Sequence, residues 1–160
     1  MLDLGELPAA PGGMESLVYH GLARFRFALR CFLSYSEAVT AEAGVTAQQY
    51  QALLAIRTHG GNGMMVRDLA EQLLLKHHGA VQLVDRMAQA GLVERAHSAA
   101  DRRSVMLSLT PQGVTTLARL AQLHLHELLK QAPLLGESLQ LLTQLAPPET
   151  GALPPANADI

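Results

Sequence analysis

The segment that decides the fold is VRDLAEQLLLKHHGAVQLVDRMAQAGLVERAHSAADRRSVMLSLT, which runs from Val66 to Thr110. Its apolar spacing predicts two short helices, over 66–73 and about 77–90. Two six-residue runs then predict β-strands over 92–97 and 104–109, joined by the loop SAADRR. Helix, turn, helix and hairpin in this order are the elements of a winged helix-turn-helix.

The second predicted helix has an apolar stripe and a largely polar face. Ala80, Leu83, Val84 and Met87 recur at i, i+3, i+4 and i+7, which predicts that the stripe is buried. The opposite face has the chemistry to read DNA, because Gln pairs with adenine, Arg pairs with guanine or phosphate, and Val contacts the thymine methyl. A solvated helix face has the same composition, so the hairpin that follows is what favours DNA binding. The face consists of His77, His78, Val81, Gln82, Asp85 and Arg86.

A long amphipathic helix precedes this segment. Ser16 is predicted to cap a helix that runs to about Ala43 and ends at Gly44. Apolar residues recur along it in steps of four and three, which is typical of a helix that packs against another, in the same chain or in a second copy. These residues are Val18, Leu22, Phe25, Leu29, Phe32 and Val39.

Thr46 and Gln49 form a capping box that begins a second helix, which is predicted to reach about His59. The run HGGNG (59–63) lacks the Lys-Ser/Thr of a phosphate-binding loop, so it is interpreted as a turn.

A second long helical region follows the hairpin. Thr110 and Pro111 combine a capping side chain with proline at the first helical position. Pro133 is expected to end this helix, and a last helix is predicted around 135–142. The apolar positions of the first part are Val114, Ala118, Ala121, Leu125, Leu128 and Ala132.

Composition excludes several classes of protein. Hydrophobic residues make up 49% of the 160, which is enough for a core, but no run of 18 apolar residues exists that would span a membrane. The N-terminus does not resemble a secretory signal, and the single cysteine, Cys31, fits a reducing compartment, so a cytoplasmic protein is expected. The net charge of −2 argues against a broadly basic nucleic-acid-binding surface. No nucleophile–base pair or carboxylate pair has the spacing that catalysis needs, so no catalytic activity is expected of this protein.

The segments LAEQL (69–73), LVDRMAQAGLVER (83–95) and DRRSVMLSLTPQG (101–113) resemble the MarR family of bacterial transcription regulators. The similarity covers about 16–145 in architecture, with the specific motifs inside 66–113. The resemblance implies a homodimer that binds pseudo-palindromic double-stranded DNA, usually as a repressor. It also implies release of the DNA by a small phenolic or other organic ligand, an oxidant or a metal.

The resemblance also implies which residues contact DNA. Arg103 is the expected minor-groove arginine, with Arg102 beside it and Asp101 orienting a neighbouring arginine of the wing. Arg67, at the start of the first helix of the motif, is expected to contact phosphate. The major-groove candidates are His77, His78, Gly79, Val81, Gln82 and Arg86.

One departure from the family lies at the start of the recognition helix. The family commonly has Ser and Thr there, whereas this chain has KHHG at 76–79. The side chain of Gly79 can neither cap the helix nor bond to DNA, so the operator sequence is left open and binding is expected to be pH-sensitive through the histidines. The alternative function is a winged-helix protein-interaction module with weakened or lost DNA binding.

A small organic effector is the commonest signal for such a protein. The candidates to line its site are His20, Arg24, Tyr35 and Tyr50. Cys31 is a candidate redox sensor, although a free cysteine is more often an inert small hydrophobe.

His124, His126 and Glu127, joined by Cys31 or Glu42, are the candidate ligands of a zinc sensor. Residues two apart on a helix point in different directions, so packing or solvent exposure is favoured for both histidines. Neither a metal nor a cofactor is therefore expected.

The predicted fold class is mainly α with a small β-hairpin wing: a winged helix-turn-helix with N- and C-terminal dimerisation helices. A flexible N-terminus is expected over 1–15 and a disordered tail over 147–160. The helical dimerisation region is expected over 16–45 and 111–146, and the DNA-binding domain over 46–110.

Overall fold

The computed structural model describes residues 13–60, 63–97 and 105–145. The predicted tail and the first twelve residues of the predicted flexible N-terminus therefore lie outside the described residues. The mainly helical fold with a small antiparallel sheet is confirmed. Its elements are α1 (Met14–Glu42), α2 (Ala47–Thr58), β1 (Met64–Met65), α3 (Val66–Gln72), α4 (His77–Gln89), β2 (Val93–His97), β3 (Val105–Leu109) and α5 (Pro111–Leu145).

The sheet contains one strand more than the sequence predicts. Its order is β1-β3-β2 and both pairings are antiparallel, with Met64 opposite Leu107 and Val93 opposite Leu109. β1 has only two residues, so it is too short to show the alternation by which a strand is recognised. The two predicted hairpin strands are confirmed to within a residue or two at their ends.

The chain forms two compact units, one from the described parts of Met1–Tyr35 and His126–Leu153 and the other built on Ser36–Leu125. The helices α1 and α5 each contribute residues to both. In the first unit the two helices pack closely at Gly21, where an added Cβ would lie 2.9 Å from Leu142 Cδ2.

The second unit holds the main hydrophobic core. One cluster of buried side chains joins α2, β1, α3, α4, β2, β3 and the first part of α5. Apolar residues drawn from seven elements fix where α3 and α4 lie in this unit. The largest fully buried members are Leu53, Met64, Leu69, Leu83, Met87, Leu107 and Leu120.

The capping box of α2 is confirmed. Thr46 Oγ1 accepts a hydrogen bond from the Gln49 backbone N–H at 3.1 Å, and the Gln49 side chain accepts from the Thr46 N–H at 2.8 Å. Gly44, which ends α1, has φ of +73°, a backbone conformation that favours glycine.

Two predicted helix boundaries are wrong. Ser16 does not cap α1, because the helix begins two residues earlier and the Ser16 N–H donates to the Gly13 carbonyl. Pro133 does not end α5, which continues through it to Leu145. Pro133 is exposed, and the residues that follow it are packed, with Leu142 close to Gly21 of α1 and Ser138 only 1% exposed, so tertiary packing offsets the lost backbone bond.

None of the helices in the described ranges combines the length and the apolar content that a membrane-crossing segment needs.

Candidate nucleic-acid interface

α4 has a buried side and an exposed side, as predicted. The stripe Ala80, Leu83, Val84 and Met87 is at most 1% exposed and packs into the core of the second unit. Leu69 and Ala70 of α3 are buried too, whereas Leu73 is only half-buried. On the other side of α4, Val81, Asp85 and Gly79 are half-buried, and the four remaining candidates His77, His78, Gln82 and Arg86 are exposed. The structure therefore presents the predicted reading residues on one accessible face.

The N-cap residue of α4 does not cap the helix with its side chain. Lys76 is in an extended conformation and its side chain accepts no hydrogen bond from the first turn. Among the described residues, nothing lies within 4 Å of a Cβ added at Gly79. The backbone of this first turn is therefore open to an acceptor from outside, and a phosphate oxygen is one such acceptor.

The turn between α3 and α4 contains a strained residue. Leu74 has φ of +54°, which is the one non-glycine residue with positive φ in the described part of the chain. Its side chain is 63% exposed. The Leu75 N–H donates to the Ala70 carbonyl at 2.8 Å, which closes the turn and holds Leu74 in this conformation.

An ion pair that sequence reasoning missed joins α4 to the hairpin. Arg95 Nη2 of β2 lies 2.6 Å from Asp85 Oδ1 of α4. Ten residues separate the two along the chain, so neither helix nor strand periodicity marks them as partners. The pair links β2 to the polar side of α4. Both side chains are more than a third exposed, so its contribution to stability is small.

Arg67, the predicted phosphate contact, lies at the start of α3 and forms an ion pair with its neighbour. Arg67 Nε donates to Asp68 Oδ1 at 3.2 Å, and the Arg67 side chain is 68% exposed. Its charge is accessible at the start of α3, as phosphate contact would need. Asp101, Arg102 and Arg103, the predicted wing residues, lie outside the described residues.

Hydrogen bonds join the start of α5 to the turn between α4 and β2. Thr110 Oγ1 donates to the Gly91 carbonyl at 2.6 Å and accepts from the Gly113 N–H at 3.0 Å, which confirms Thr110 as the cap. The Thr110 N–H donates to the Leu92 carbonyl. A Cβ at Gly113 would lie only 2.0 Å from that same oxygen. Glycine in the quoted motif is therefore required by a close backbone contact.

The four predicted effector-site residues have different surroundings. His20, Arg24 and Tyr35 are half-buried on α1 in the first unit, and Arg24 Nη2 pairs with Glu137 at 3.1 Å. Arg24 Nε is buried and has no hydrogen-bond partner among the residues that the structure describes. Tyr50 belongs to the second unit, where burial raises the pKa of its hydroxyl. An effector site formed by these residues stays a prediction.

A buried histidine lies against Tyr50. The His124 ring stacks on the Tyr50 ring at a centroid distance of 4.1 Å. His124 Nδ1 donates to the Leu120 carbonyl at 2.7 Å, so in the neutral ring Nε2 accepts from Ser36 Oγ at 2.8 Å. Both ring nitrogens make hydrogen bonds to protein atoms, so His124 has a structural role in the packing of this unit. Within the described ranges, no three His, Cys, Asp or Glu side chains converge as metal ligands would.

The chain is similar in sequence to known transcription regulators. A model of the MarR family matches residues 43–104. A putative transcriptional regulatory protein for the hcr operon of Thauera aromatica is 32% identical over 120 residues, which cover 75% of this chain and 69% of that protein. The repressor MdtR of Bacillus subtilis is 36% identical over 70 residues, and these cover only 44% of either chain.

Solved structures support the fold. The crystal structure of AbsC, a MarR-family transcriptional regulator from Streptomyces coelicolor, superposes with a TM-score of 0.67. The superposition covers 86% of this chain and 92% of AbsC at 23% identity. At that identity the likeness concerns the architecture of the chain, including the order of the helix-turn-helix and the hairpin.

Proposed function

The chain belongs to the MarR family of DNA-binding transcription regulators, and from that premise we propose that it is a homodimeric repressor, released from a pseudo-palindromic operator by a small organic molecule or another signal. Members of the family regulate transcription and are not enzymes. The relatives of this chain include both a transcriptional repressor, MdtR, and a transcriptional activatory protein, BadR of Rhodopseudomonas palustris, so the proposed repressor role follows the likeness to MdtR and is tested separately below.

The observation that carries this proposal is the division of α4 into a fully buried stripe and an exposed polar face. The buried stripe fixes the helix in the core, so the exposed side chains are held ready for a partner. In the major groove Gln82 would bond adenine, Arg86 would bond guanine or phosphate, and Val81 would contact the thymine methyl. His77 and His78 stand at the N-terminal end of α4, the part that enters the groove.

The remaining DNA contacts are proposed on the family resemblance. Arg67 is exposed at the start of α3, and its guanidinium would contact a phosphate of the bound DNA. Arg103 with Arg102 would enter the minor groove, oriented by Asp101. The net charge of −2 is compatible with DNA binding, because a few well-placed arginines are enough to fix the position of the protein on DNA.

Exposed apolar side chains support the homodimer. Large hydrophobic residues that a monomer would leave in water lie along both long helices, and they include several of the predicted seam positions. A second copy of the chain is the proposed cover, and it would place two α4 helices about 34–36 Å apart on successive major grooves. The exposed residues include Leu17, Leu22, Phe27, Leu29 and Leu33 of α1 and Leu125, Leu128, Leu129 and Leu139 of α5.

The test begins with selection of bound fragments from genomic DNA, followed by fluorescence-anisotropy titration of one retained site. Arg86→Ala should weaken binding by roughly 5- to 150-fold, the loss of one arginine–base contact. Arg119→Ala is the matched control, because Arg119 is also exposed but lies on α5. Equal affinities of wild type and Arg86→Ala would contradict the reading-face assignment.

Two further measurements address the finer parts of the proposal. Sedimentation equilibrium should give a dimer, and Leu128→Asp should shift it toward monomer, because a charge on the exposed seam opposes its burial. A reporter gene placed behind the selected site should be silenced by the protein. Activation of the reporter would contradict the repressor role.

A further inference from the structure

Two adjacent histidines lie at the start of α4, where this chain departs from its family. His77 and His78 are both exposed in the first turn of the helix. They precede Val81 and Gln82 by four residues each, and residues four apart lie on the same face of a helix. The two imidazoles therefore extend the proposed reading face by one turn.

The buried stripe of α4 shows how the two histidines are directed. Successive residues of a helix are about 100° apart, so His78 lies about 160° around the helix from Ala80, which is fully buried. His77 lies only about 60° from Ala80 and is therefore at the border of the exposed face. His78 is in line with Gln82, on the side away from the core. Of the two histidines, His78 is expected to approach DNA more closely.

The charged groups around α4 offer a protonated imidazole little compensation within the protein. The elements that pack most closely against α4 are α3 and β2. Of the four acids on these three elements, three already accept a hydrogen bond from an arginine or a serine in the described structure, and the fourth, Glu71, is exposed. Besides the two histidines, the charged and titratable residues here are Arg67, Asp68 and Glu71 of α3, Lys76, Asp85 and Arg86 at or on α4, and Glu94, Arg95 and His97 of β2.

Bound DNA would supply the missing negative charge. A neutral imidazole has one donor and one acceptor, whereas a protonated imidazole has two donors and a positive charge, which suits phosphate oxygens. A phosphate close to either ring therefore favours the protonated form. The formal net charge of −2 counts every histidine as neutral, so two protonated imidazoles per chain would cancel it. For a chain with so few cations near α4, such a change in charge is large.

We propose that DNA binding by this protein takes up protons on His78 and His77, so that its affinity for DNA rises as the pH falls. Proton uptake at these positions presupposes the proposed role of α4 as the reading helix. Because the complex binds the protons more tightly than the free protein does, linkage requires that a higher proton concentration strengthens DNA binding. Histidine ordinarily exchanges its proton near about pH 6.5, so the affinity is greatest below that pH and falls as the pH rises to 8. The regulator would then hold DNA more tightly in an acidified cell.

The test is a fluorescence-anisotropy titration of the full-length protein with one fragment retained by the genomic selection, at pH 6, 7 and 8. The salt concentration is kept constant, because affinity for DNA depends on it. Wild-type affinity should fall by at least about tenfold from pH 6 to pH 8. Retention of a fragment with equal affinity at pH 6 and pH 8 would overturn proton uptake alone. Failure to retain any fragment at the three pH values would contradict the proposed DNA reading as well.

A double variant, His77→Gln with His78→Gln, separates charge from structure. Glutamine is polar and uncharged at every pH, so the variant should bind within about twofold of wild type at pH 8 and at least about fivefold more weakly at pH 6. A merely structural role of the histidines would weaken binding equally at both. Of the single variants, His78→Gln should remove more of the pH dependence than His77→Gln. A double variant that keeps the wild-type pH dependence would overturn the proposal.

His59→Gln is the matched control, since His59 is an exposed histidine of the same unit at the end of α2. It should keep the wild-type pH dependence, and a loss equal to that of the double variant would overturn the assignment to α4.

Calorimetry counts the protons directly. Titration of DNA at pH 7 in two buffers that differ in their heat of ionisation should give an uptake of at least about half a proton per chain. The uptake should be absent in the double variant. Release of protons by the wild type, or equal uptake by the two proteins, would refute the role of these histidines.

Discussion

Gly113→Ala tests the fastening of α5 to the turn that follows α4. The added methyl carbon would start 2.0 Å from the Leu92 carbonyl oxygen and 3.0 Å from its carbon. Carbon and oxygen approach to about 3.3 Å when not bonded, so the two backbones must separate by roughly 1.3 Å. The carbonyl belongs to the main chain, so no side-chain rotation relieves the contact.

The size of the effect follows from the bonds at this junction. The Thr110 N–H bond to Leu92, at 3.2 Å, and the Thr110 Oγ1 bond to Gly91, at 2.6 Å, both cross the gap that must widen. Two bonds are worth about 2 kcal/mol, and overpacking costs a further 1–3 kcal/mol, roughly. Replacing glycine by alanine in a helix returns about 0.5–1 kcal/mol. The free energy of unfolding should therefore fall by about 2–4 kcal/mol.

The assay is thermal unfolding followed by circular dichroism, at one protein concentration because the protein is proposed to dimerise. For a chain of this length the expected loss lowers Tm by roughly 5–15 °C. Gly136→Ala is the matched control, since it lies in the same helix and its added Cβ meets nothing within 4 Å. It should raise the stability by about 0.5–1 kcal/mol. If Gly113→Ala leaves Tm unchanged or raises it as Gly136→Ala is expected to do, the close contact at Gly113 does not limit the structure.

Three further outcomes are expected. Gly79→Ala should raise the free energy of unfolding by about 0.5–1 kcal/mol, because its surroundings are open, and a loss in urea titration would contradict that openness. A double-mutant cycle of Asp85→Asn and Arg95→Gln should give a coupling of about 0.2–1 kcal/mol that declines in high salt, whereas a salt-independent coupling would argue against an exposed pair. Burial raises the pKa of Tyr50 above its ordinary 10.0, so the neutral form stabilises the fold below that pH and the stability is lost as pH rises beyond it. Tyr50→Phe should therefore lose less stability than wild type between neutral and strongly alkaline pH. An identical decline in both proteins would show that ionisation of the Tyr50 hydroxyl does not cause it.

Local signals predict the helices of the DNA-binding region and their caps, because each signal depends on neighbours in sequence. The capping box at Thr46, the apolar stripe of α4 and the cap at Thr110 involve residues three or four positions apart, which is the range that helix geometry fixes. The reading face of α4 follows from the stripe, because the side opposite buried residues must be accessible.

What could not be predicted depends on contacts between distant residues. The Asp85–Arg95 pair and the stacking of Tyr50 on His124 have no periodic signal. The sequence also shows that Gly113 is part of a motif, but only the packed backbone of Leu92 shows why glycine stands there. The continuous α5 was missed for the same reason, because helix-breaking rules for Pro133 ignore packing on α1.

The buried and exposed sides of α4 differ in what they contribute to folding, and this difference affects how the sequence of such a protein can evolve. Stability rests on Ala80, Leu83, Val84 and Met87, while Gln82 and Arg86 contribute almost nothing to the core. Substitutions on the exposed side of the helix therefore cost little folding free energy, usually within about 0.5 kcal/mol. If that side reads DNA as proposed, the operator that this regulator binds is free to diverge from those of its relatives while the buried side of the same helix remains under constraint.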